Sequence, residues 1–388
     1  MGMDRPMKKI MFITGTRADF GKLKPLIRAV AESRLYEWTI FATGMHMLSR
    51  YGFTVDEIYK AGFKNVYAHM NQVYGEPMEM ITANTISGLS RYTQEYSPDL
   101  IIVHGDRVEA LAGAIVGALR NILVAHIEGG ELSGTVDEII RHSVTKMSHL
   151  HFVANEDAAR RLVQLGEDLS SIFIIGSPDI DVMLSPDLPD LMVAKDYYQI
   201  DFENYAIVTL HPVTTELKTQ EQNAMEMVDA LIASKRDYVV IYPNNDEGCD
   251  KIFSAYEKLN NNPHFRIFPS LRFEYFLTLL KNADFIIGNS SAGIREAPFY
   301  AIPTVNIGTR QRRRYNGDSI INVDFDKNHI LQAINKTDEM VNLKPSHIFG
   351  NGKSTKYFME ALAMERLWMT SKQKSFVDIK TERLNLFG

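Results

Sequence analysis

The feature that most constrains this chain is a repeated alternation of short apolar runs with helical patterns. Lys8–Thr14, Trp38–Thr43, Leu100–Val103, Ile122–His126 and His151–Ala154 are each strand-long, with helical stretches between them from about Phe20 and over Val108–Leu119. Near-continuous apolar runs fit strands buried on both faces, and their alternation with helices fits a parallel sheet covered on each side. The grammar returns further on. Tyr205–Leu210, Tyr238–Tyr242, Arg266–Phe268, Phe285–Gly288 and Thr304–Ile307 read as buried strands, interleaved with helices such as Gln220–Ser234 and Arg272–Lys281. The fold class predicted is α/β, with two doubly wound units.

The length agrees, since 388 residues at 45% hydrophobic content exceed what one core usually serves. Gly176–Pro189, with Pro178, Pro186 and Pro189, breaks both patterns and is the expected linker, dividing the chain into 1–178 and 179–354. Ser354 is an expected N-cap for a closing amphipathic helix through about Ser371, with Phe358, Leu362, Leu367 and Trp368 among its apolar positions. Met1–Met7 read as a leader before the first strand. The single cysteine, Cys249, cannot form an internal disulfide, and no N-terminal stretch reads as a signal peptide, so a cytoplasmic setting is expected. The apolar runs are too short to span a membrane. A net charge of −6 argues against nucleic acid, so any anionic ligand needs a local basic cluster.

In open parallel sheets ligands bind beyond the carboxyl ends of strands, so residues just after each expected strand are the informative ones. After the first comes Gly15-Thr16-Arg17-Ala18-Asp19-Phe20-Gly21-Lys22, a turn into a helix that could cradle an anion with Arg17 and Lys22; the bland alternative is a solvated turn. His104-Gly105-Asp106-Arg107 and His126-Ile127-Glu128-Gly129-Gly130 each put a carboxylate at a strand end. In Asp137-Glu138-Ile139-Ile140-Arg141-His142, Asp137 and Arg141 share a helix face, as a surface ion pair also would. Three such acids close together point to acid/base chemistry. They also permit a metal-hydrolase reading, though neither His-Glu-x-x-His nor a cysteine ligand set is present, and no metal is expected. In the second half His211 ends a strand, and Gly288-Asn289-Ser290-Ser291-Ala292-Gly293-Ile294-Arg295-Glu296 offers backbone N–H groups and hydroxyls at a helix start, suited to a diphosphate. Pro298 should shorten that helix. Gly308-Thr309-Arg310-Gln311-Arg312-Arg313-Arg314 supplies cations, the run of three arginines reading as a solvated loop.

These motifs, with His-Pro-Val-Thr-Thr at 211–215, occur in an order that resembles the hydrolysing UDP-N-acetylglucosamine 2-epimerases of bacterial sialic-acid and capsule synthesis, from about residue 8 to 315. The resemblance implies a GT-B architecture, two Rossmann-like domains facing a cleft, with a last helix, about 355–388, packing back on the first. It implies UDP held by the second domain: Ser290, Ser291, Glu296 and Arg310 on diphosphate and ribose, Asn244 facing the nucleotide, Arg17 and Lys22 near uridine or phosphates. Asp106, Glu128, Asp137 and His211 would carry the chemistry, supported by Arg107 and Arg141. A homodimer without cofactor is also implied, with UDP-N-acetylglucosamine as substrate and UDP as a product.

The hydrogen on the sugar's C2 is barely acidic until the C1–O bond to UDP breaks and C1 becomes oxocarbenium-like. The expected route is therefore loss of UDP, removal of the C2 proton by Asp106 or Asp137 to give 2-acetamidoglucal, and hydration assisted by Glu128 to N-acetylmannosamine. His211 is expected at the leaving diphosphate as donor or acid. Ala18-Asp19 after Arg17, and His-Gly-Asp-Arg at 104–107, favour the hydrolysing over the non-hydrolysing branch. A relative acting on UDP-2,4-diacetamido-2,4,6-trideoxyglucose, a GT-B glycosyltransferase and a nucleotide-sugar sensor are the competing readings.

Overall fold

The structure is a computed structural model that describes residues 7–312 and 314–379. Residues 1–6 of the expected leader, Arg313, and residues 380–388 of the expected closing helix lie outside the described residues. Seven parallel strands form a first sheet: β1 (Lys8–Thr14), β2 (Tyr36–Ala42), β3 (Val66–Ala68), β4 (Leu100–His104), β5 (Leu123–Ile127), β6 (Leu150–Val153) and β7 (Ile172–Ile174). A second holds six: β8 (Ala206–Thr209), β9 (Tyr238–Ile241), β10 (Phe265–Phe268), β11 (Ile286–Gly288), β12 (Thr304–Ile307) and β13 (Ile320–Val323). Their orders, β3-β2-β1-β4-β5-β6-β7 and β10-β9-β8-β11-β12-β13, reverse direction at β1/β4 and at β8/β11. This is the doubly wound GT-B arrangement, and those two reversals are where ligands are expected.

The strands are apolar throughout because alternate side chains feed cores on opposite faces. Ile10, Phe12, Ile40 and Ile102 pack with Leu23, Leu26 and Ile27 on one side of the first sheet. Met11, Ile13, Phe41, Ile101 and Val103 pack with Ile81, Leu89 and Ala114 on the other. The second sheet repeats the scheme, Val208, Val240 and Ile287 meeting Met227 and Leu231, and Ile207, Val239 and Ile286 meeting Leu277 and Leu280. Three strands were not expected: β3, β7 and β13 all lie on sheet edges, half exposed, and are only three or four residues long.

Other differences have local causes. The first helix spans Arg17–Ser33 rather than starting near Phe20, because Thr16 caps it by accepting from the Asp19 N–H at 3.1 Å. The expected linker holds a helix, Pro178–Met183, with Pro178 at its first position, where a missing N–H costs nothing. The closing helix is broken in two, Ser354–Ala363 and Glu365–Trp368, by the extended Met364. Ser354 is its first helical residue rather than its cap; the Asp181 carboxylate caps instead, accepting from the N–H groups of Ser354 (3.0 Å) and Thr355 (2.8 Å). Phe358, Leu362 and Leu367 from these helices join the core of the first sheet.

Candidate active site

The carboxyl ends of the two sheets face one another across a cleft of about 330 Å³. The first sheet contributes the turns after β1, β4 and β5 and the start of helix Val136–Met147; the second contributes the turns after β8, β9, β10, β11 and β12. Every residue expected at the site lines this cleft: Arg17, Lys22, Asp106, Arg107, Glu128, Asp137, Arg141, His211, Asn244, Ser290, Ser291, Glu296 and Arg310. Close backbone approach shapes it. A Cβ on Gly134 would lie 1.8 Å from the Arg310 carbonyl oxygen across the cleft, and one on Gly288, where φ is +132°, would lie 2.0 Å from Thr209 O.

The acids are not alike. Asp106 accepts from Ser133 Oγ at 2.9 Å and from the Arg141 guanidinium. Burial would raise its carboxyl, but Arg141 and Arg314 outweigh that and hold it below the usual carboxylate range. Asp137 pairs with Arg310 at 2.8 Å, yet burial dominates there and raises its carboxyl, with Asp106 and Asp246 adding repulsion. Asp137 therefore takes up a proton more readily than Asp106. The Asp137–Arg141 surface pair that helix spacing allows is not made; each side chain turns to a partner elsewhere in the cleft.

Glu128 has φ +63°, a left-handed conformation unusual for a residue with a side chain, and the buried Arg141 guanidinium donates to its carbonyl. One carboxylate oxygen accepts from Arg295 at 2.7 Å and from Ser177; the other lies 3.2 Å from His104 Nε2. Burial would raise this carboxyl too, but Arg295, Lys22 and His104 hold it well below its ordinary value. His104 Nδ1 lies 2.7 Å from Asp19. Burial opposes its charge, but Glu128 and Asp19 prevail and raise it to about 9, making it an imidazolium at neutral pH.

Lys22 is buried with its Nζ 3.1 Å from Asp179 and 3.2 Å from Glu296. It is thus a partner of carboxylates, and Glu296 in turn keeps one oxygen, Oε2, without a partner among the described residues. Asn244 Oδ1, Arg17 Nε, Arg310 Nε and Thr209 Oγ1 are likewise buried and unpaired. Buried polar atoms are rarely left so, and this set lines one cleft, as expected where a polar ligand supplies the missing bonds. His211 Nδ1 accepts from the Asn244 N–H at 3.1 Å. Burial, with Arg310 and Arg107 nearby, lowers it to about 3, so the ring is neutral and its Nε2–H is the donor. Arg107 bonds Asn245 at 2.9 Å and Glu109 at 3.3 Å.

The Ser290 turn opens a single 3₁₀ turn, Ser291–Gly293, and then a four-residue helix, Glu296–Phe299, containing Pro298. The diphosphate-type turn is therefore not the mouth of a regular helix. The arginine run is not uniformly solvated either: Arg312 is exposed, while Arg314 is held 2.9 Å from the buried Glu131. Asp19, His104 and Arg295 lie inside the motifs and Glu131 directly follows one, all without an assigned role; closeness to a strand end is their signal. Asp179, in the expected linker, carried none, since only the packing of its helix on Arg17–Ser33 brings it here.

The chain matches the family model for UDP-N-acetylglucosamine 2-epimerase over residues 28–363. It is 49% identical to the UDP-N-acetylglucosamine 2-epimerase of Neisseria meningitidis serogroup B, covering 96% of this chain and 100% of that protein. Identity to the UDP-N,N'-diacetylbacillosamine 2-epimerase (hydrolyzing) of Legionella pneumophila is 32%, covering 90% and 94%. The Methanocaldococcus jannaschii UDP-GlcNAc 2-epimerase, solved with UDP-GlcNAc and UDP, shares the fold at a TM-score of 0.77 and 24% identity, over 91% of this chain and 99% of that one. With its strand-end motifs gathered on one interdomain cleft, the chain belongs to the UDP-N-acetylglucosamine 2-epimerase family.

Proposed function

We propose that the chain is a hydrolysing UDP-N-acetylglucosamine 2-epimerase that releases UDP and N-acetylmannosamine, feeding sialic-acid synthesis. The observation that carries this is the division of the cleft: two dissimilar acids, Asp106 and Asp137, on the rim of the first sheet face the Ser290–Ser291 turn, His211 and Arg310 on the second. In this reading residues 1–178 handle the sugar, 179–354 hold UDP, and the segment from about 355 returns to the first unit. The C1–O bond breaks with its electron pair leaving on the diphosphate, stabilised by Arg310, the Ser290 and Ser291 hydroxyls and His211 Nε2–H. Asp137 takes the C2 proton, and the C–H electrons close the C1=C2 bond of 2-acetamidoglucal. Asp137 suits this task better than Asp106, whose carboxylate is committed to Arg141 and Ser133. Water then adds hydroxide to C1 and a proton to C2 on the opposite face. Glu128, engaged at both oxygens, assists this hydration as a fixed negative charge that orients the water rather than as a proton carrier.

The hydrolysing outcome is supported by His-Gly-Asp-Arg at 104–107 and by the likeness to the Legionella enzyme, which is named as hydrolyzing. UDP-N-acetylglucosamine is favoured as substrate because the Neisseria enzyme named for it is far more similar than the enzyme named for the diacetamido sugar. A cytoplasmic homodimer completes the proposal. Incubation with each UDP-sugar and analysis of products by ¹H NMR tests it: free N-acetylmannosamine with UDP is expected, and a UDP-N-acetylmannosamine product or intact substrate would overturn it.

A further inference from the structure

Arg295 is among the largest fully buried side chains of the described residues, and nothing in the reaction as proposed uses it. It leaves the nucleotide turn two residues after Gly293 and crosses to the first sheet. There Nη2 donates to Glu128 Oε1 at 2.7 Å and to Ser177 Oγ, Nη1 donates to Glu131, and Nε lies 3.4 Å from Asp179. The Phe349 ring packs 4.5 Å below the guanidinium. A planar fork with donors along three edges can hold several acids at once in a fixed arrangement, which a lysine cannot. At the other oxygen of Glu128 stands His104, itself tied to Asp19, and Asp19 Oδ2 accepts from the Gly15 N–H at 3.1 Å. A run of ion pairs and hydrogen bonds thus joins the Gly15 turn, His104, Glu128, Arg295 and the Ser290–Gly293 turn. Glu128 sits at its centre in a strained backbone conformation.

We propose that Arg295 is a positioning residue that sets the Glu128 carboxylate from the nucleotide-binding turn, so that the glycal is hydrated before it escapes. The proposal rests on the hydrolysing reading. The Ser290–Gly293 turn can seat a diphosphate without Arg295, whose donors all point away to carboxylates and Ser177. Losing it should leave substrate binding and the first bond cleavage largely in place. What it should disturb is the geometry around Glu128, on which the second step depends.

The test compares Arg295→Lys and Arg295→Met with the wild type on UDP-N-acetylglucosamine, following N-acetylmannosamine, 2-acetamidoglucal and UDP together by NMR. Because Arg295→Met strands buried carboxylates, Arg295→Met/Glu131→Gln is included, and circular dichroism selects the folded variants. The expected result is a fall in kcat for N-acetylmannosamine on the order of 10–100-fold. KM should stay within about threefold, and 2-acetamidoglucal should become a released product, less in Arg295→Lys than in Arg295→Met. Folded variants with wild-type kcat and no free glycal would overturn the proposal, as would a loss confined to KM. A wild-type enzyme that forms no N-acetylmannosamine would overturn the hydrolysing reading itself, a result visible before any variant is made.

Discussion

Replacing His104 by Gln removes a buried imidazolium from between two carboxylates while keeping one side-chain N–H near Glu128. In the folded protein burial opposes the charge, but Glu128 and Asp19 raise the ring from its ordinary 6.5 to about 9. At about 1.4 kcal/mol per unit, that difference is worth about 3 kcal/mol. The side chain is only 9% exposed, so solvent screening removes little of it. The folded value lies above the unfolded one, so the stabilisation is full below about pH 6.5 and is lost as pH rises through about 9. At pH 7.5 about 2 kcal/mol should remain. Urea denaturation of wild type and His104→Gln at pH 6, 7.5 and 9.5 should therefore show a gap that closes with rising pH. Histidine ring ¹³C shifts in the wild type should show one imidazole still doubly protonated at pH 8. A gap of equal size at all three pH values, or no histidine titrating above about 7.5, would refute the reasoning.

Asp137→Asn should lower turnover by roughly 10²–10⁴-fold, the usual worth of a positioned general base, without lowering the thermal midpoint at pH 7. Its folded-state carboxyl is raised by burial, so ionisation costs stability as pH rises past the unfolded value, and a neutral amide avoids that cost; differential scanning fluorimetry decides. Gly134→Ala should cut kcat/KM, since its methyl group would meet the Arg310 carbonyl at 1.8 Å and force the two rims apart; unchanged kinetics would show that the rims do not close to this distance in solution. His211 is held neutral, lowered to about 3, so kcat/KM against pH should show no inflection between pH 5 and 8 that disappears in His211→Asn.

What could be read from the sequence follows from where side chains spend their surface. Strands such as β4 and β8 are buried on both faces, so their apolar runs announce them; β3, β7 and β13 are sheet edges, half wet and only three or four residues long, so their short apolar stretches do not stand out. The same rule governs the site. Residues just beyond a central strand must face the crevice whatever the details of packing, which is why Asp106, Glu128, His211 and Ser290 could be placed by position. Partner choice follows no such rule. Asp137 and Arg141 stand one helical turn apart and are well spaced to pair, yet Arg310 from across the cleft and Asp106 from the same rim take them, because those pairs are partly buried and a surface pair gains little in water.

The buried charges of the cleft also bear on how the two halves stay together. Arg295, Lys22 and Arg314 would each be costly to bury alone, as would Glu128, Glu131 and Asp179. Each finds its counter-charge across a boundary: Arg295 and Arg314 come from the second sheet, Glu128 and Glu131 from the first, Lys22 from the first helix and Asp179 from Pro178–Met183. Separating the halves would therefore either strand charges in partly dry surroundings or admit water to the site. Removing one partner should cost more than the pair contributes, because it leaves the other charge uncompensated. Such a network adds little net stability, but it strongly disfavours any arrangement in which Glu128 is misplaced relative to the Ser290 turn. The orientation of the cleft's carboxylates is thus held by interactions that join its two sides, spread over several pairs, so that no single one of them carries the closed register alone.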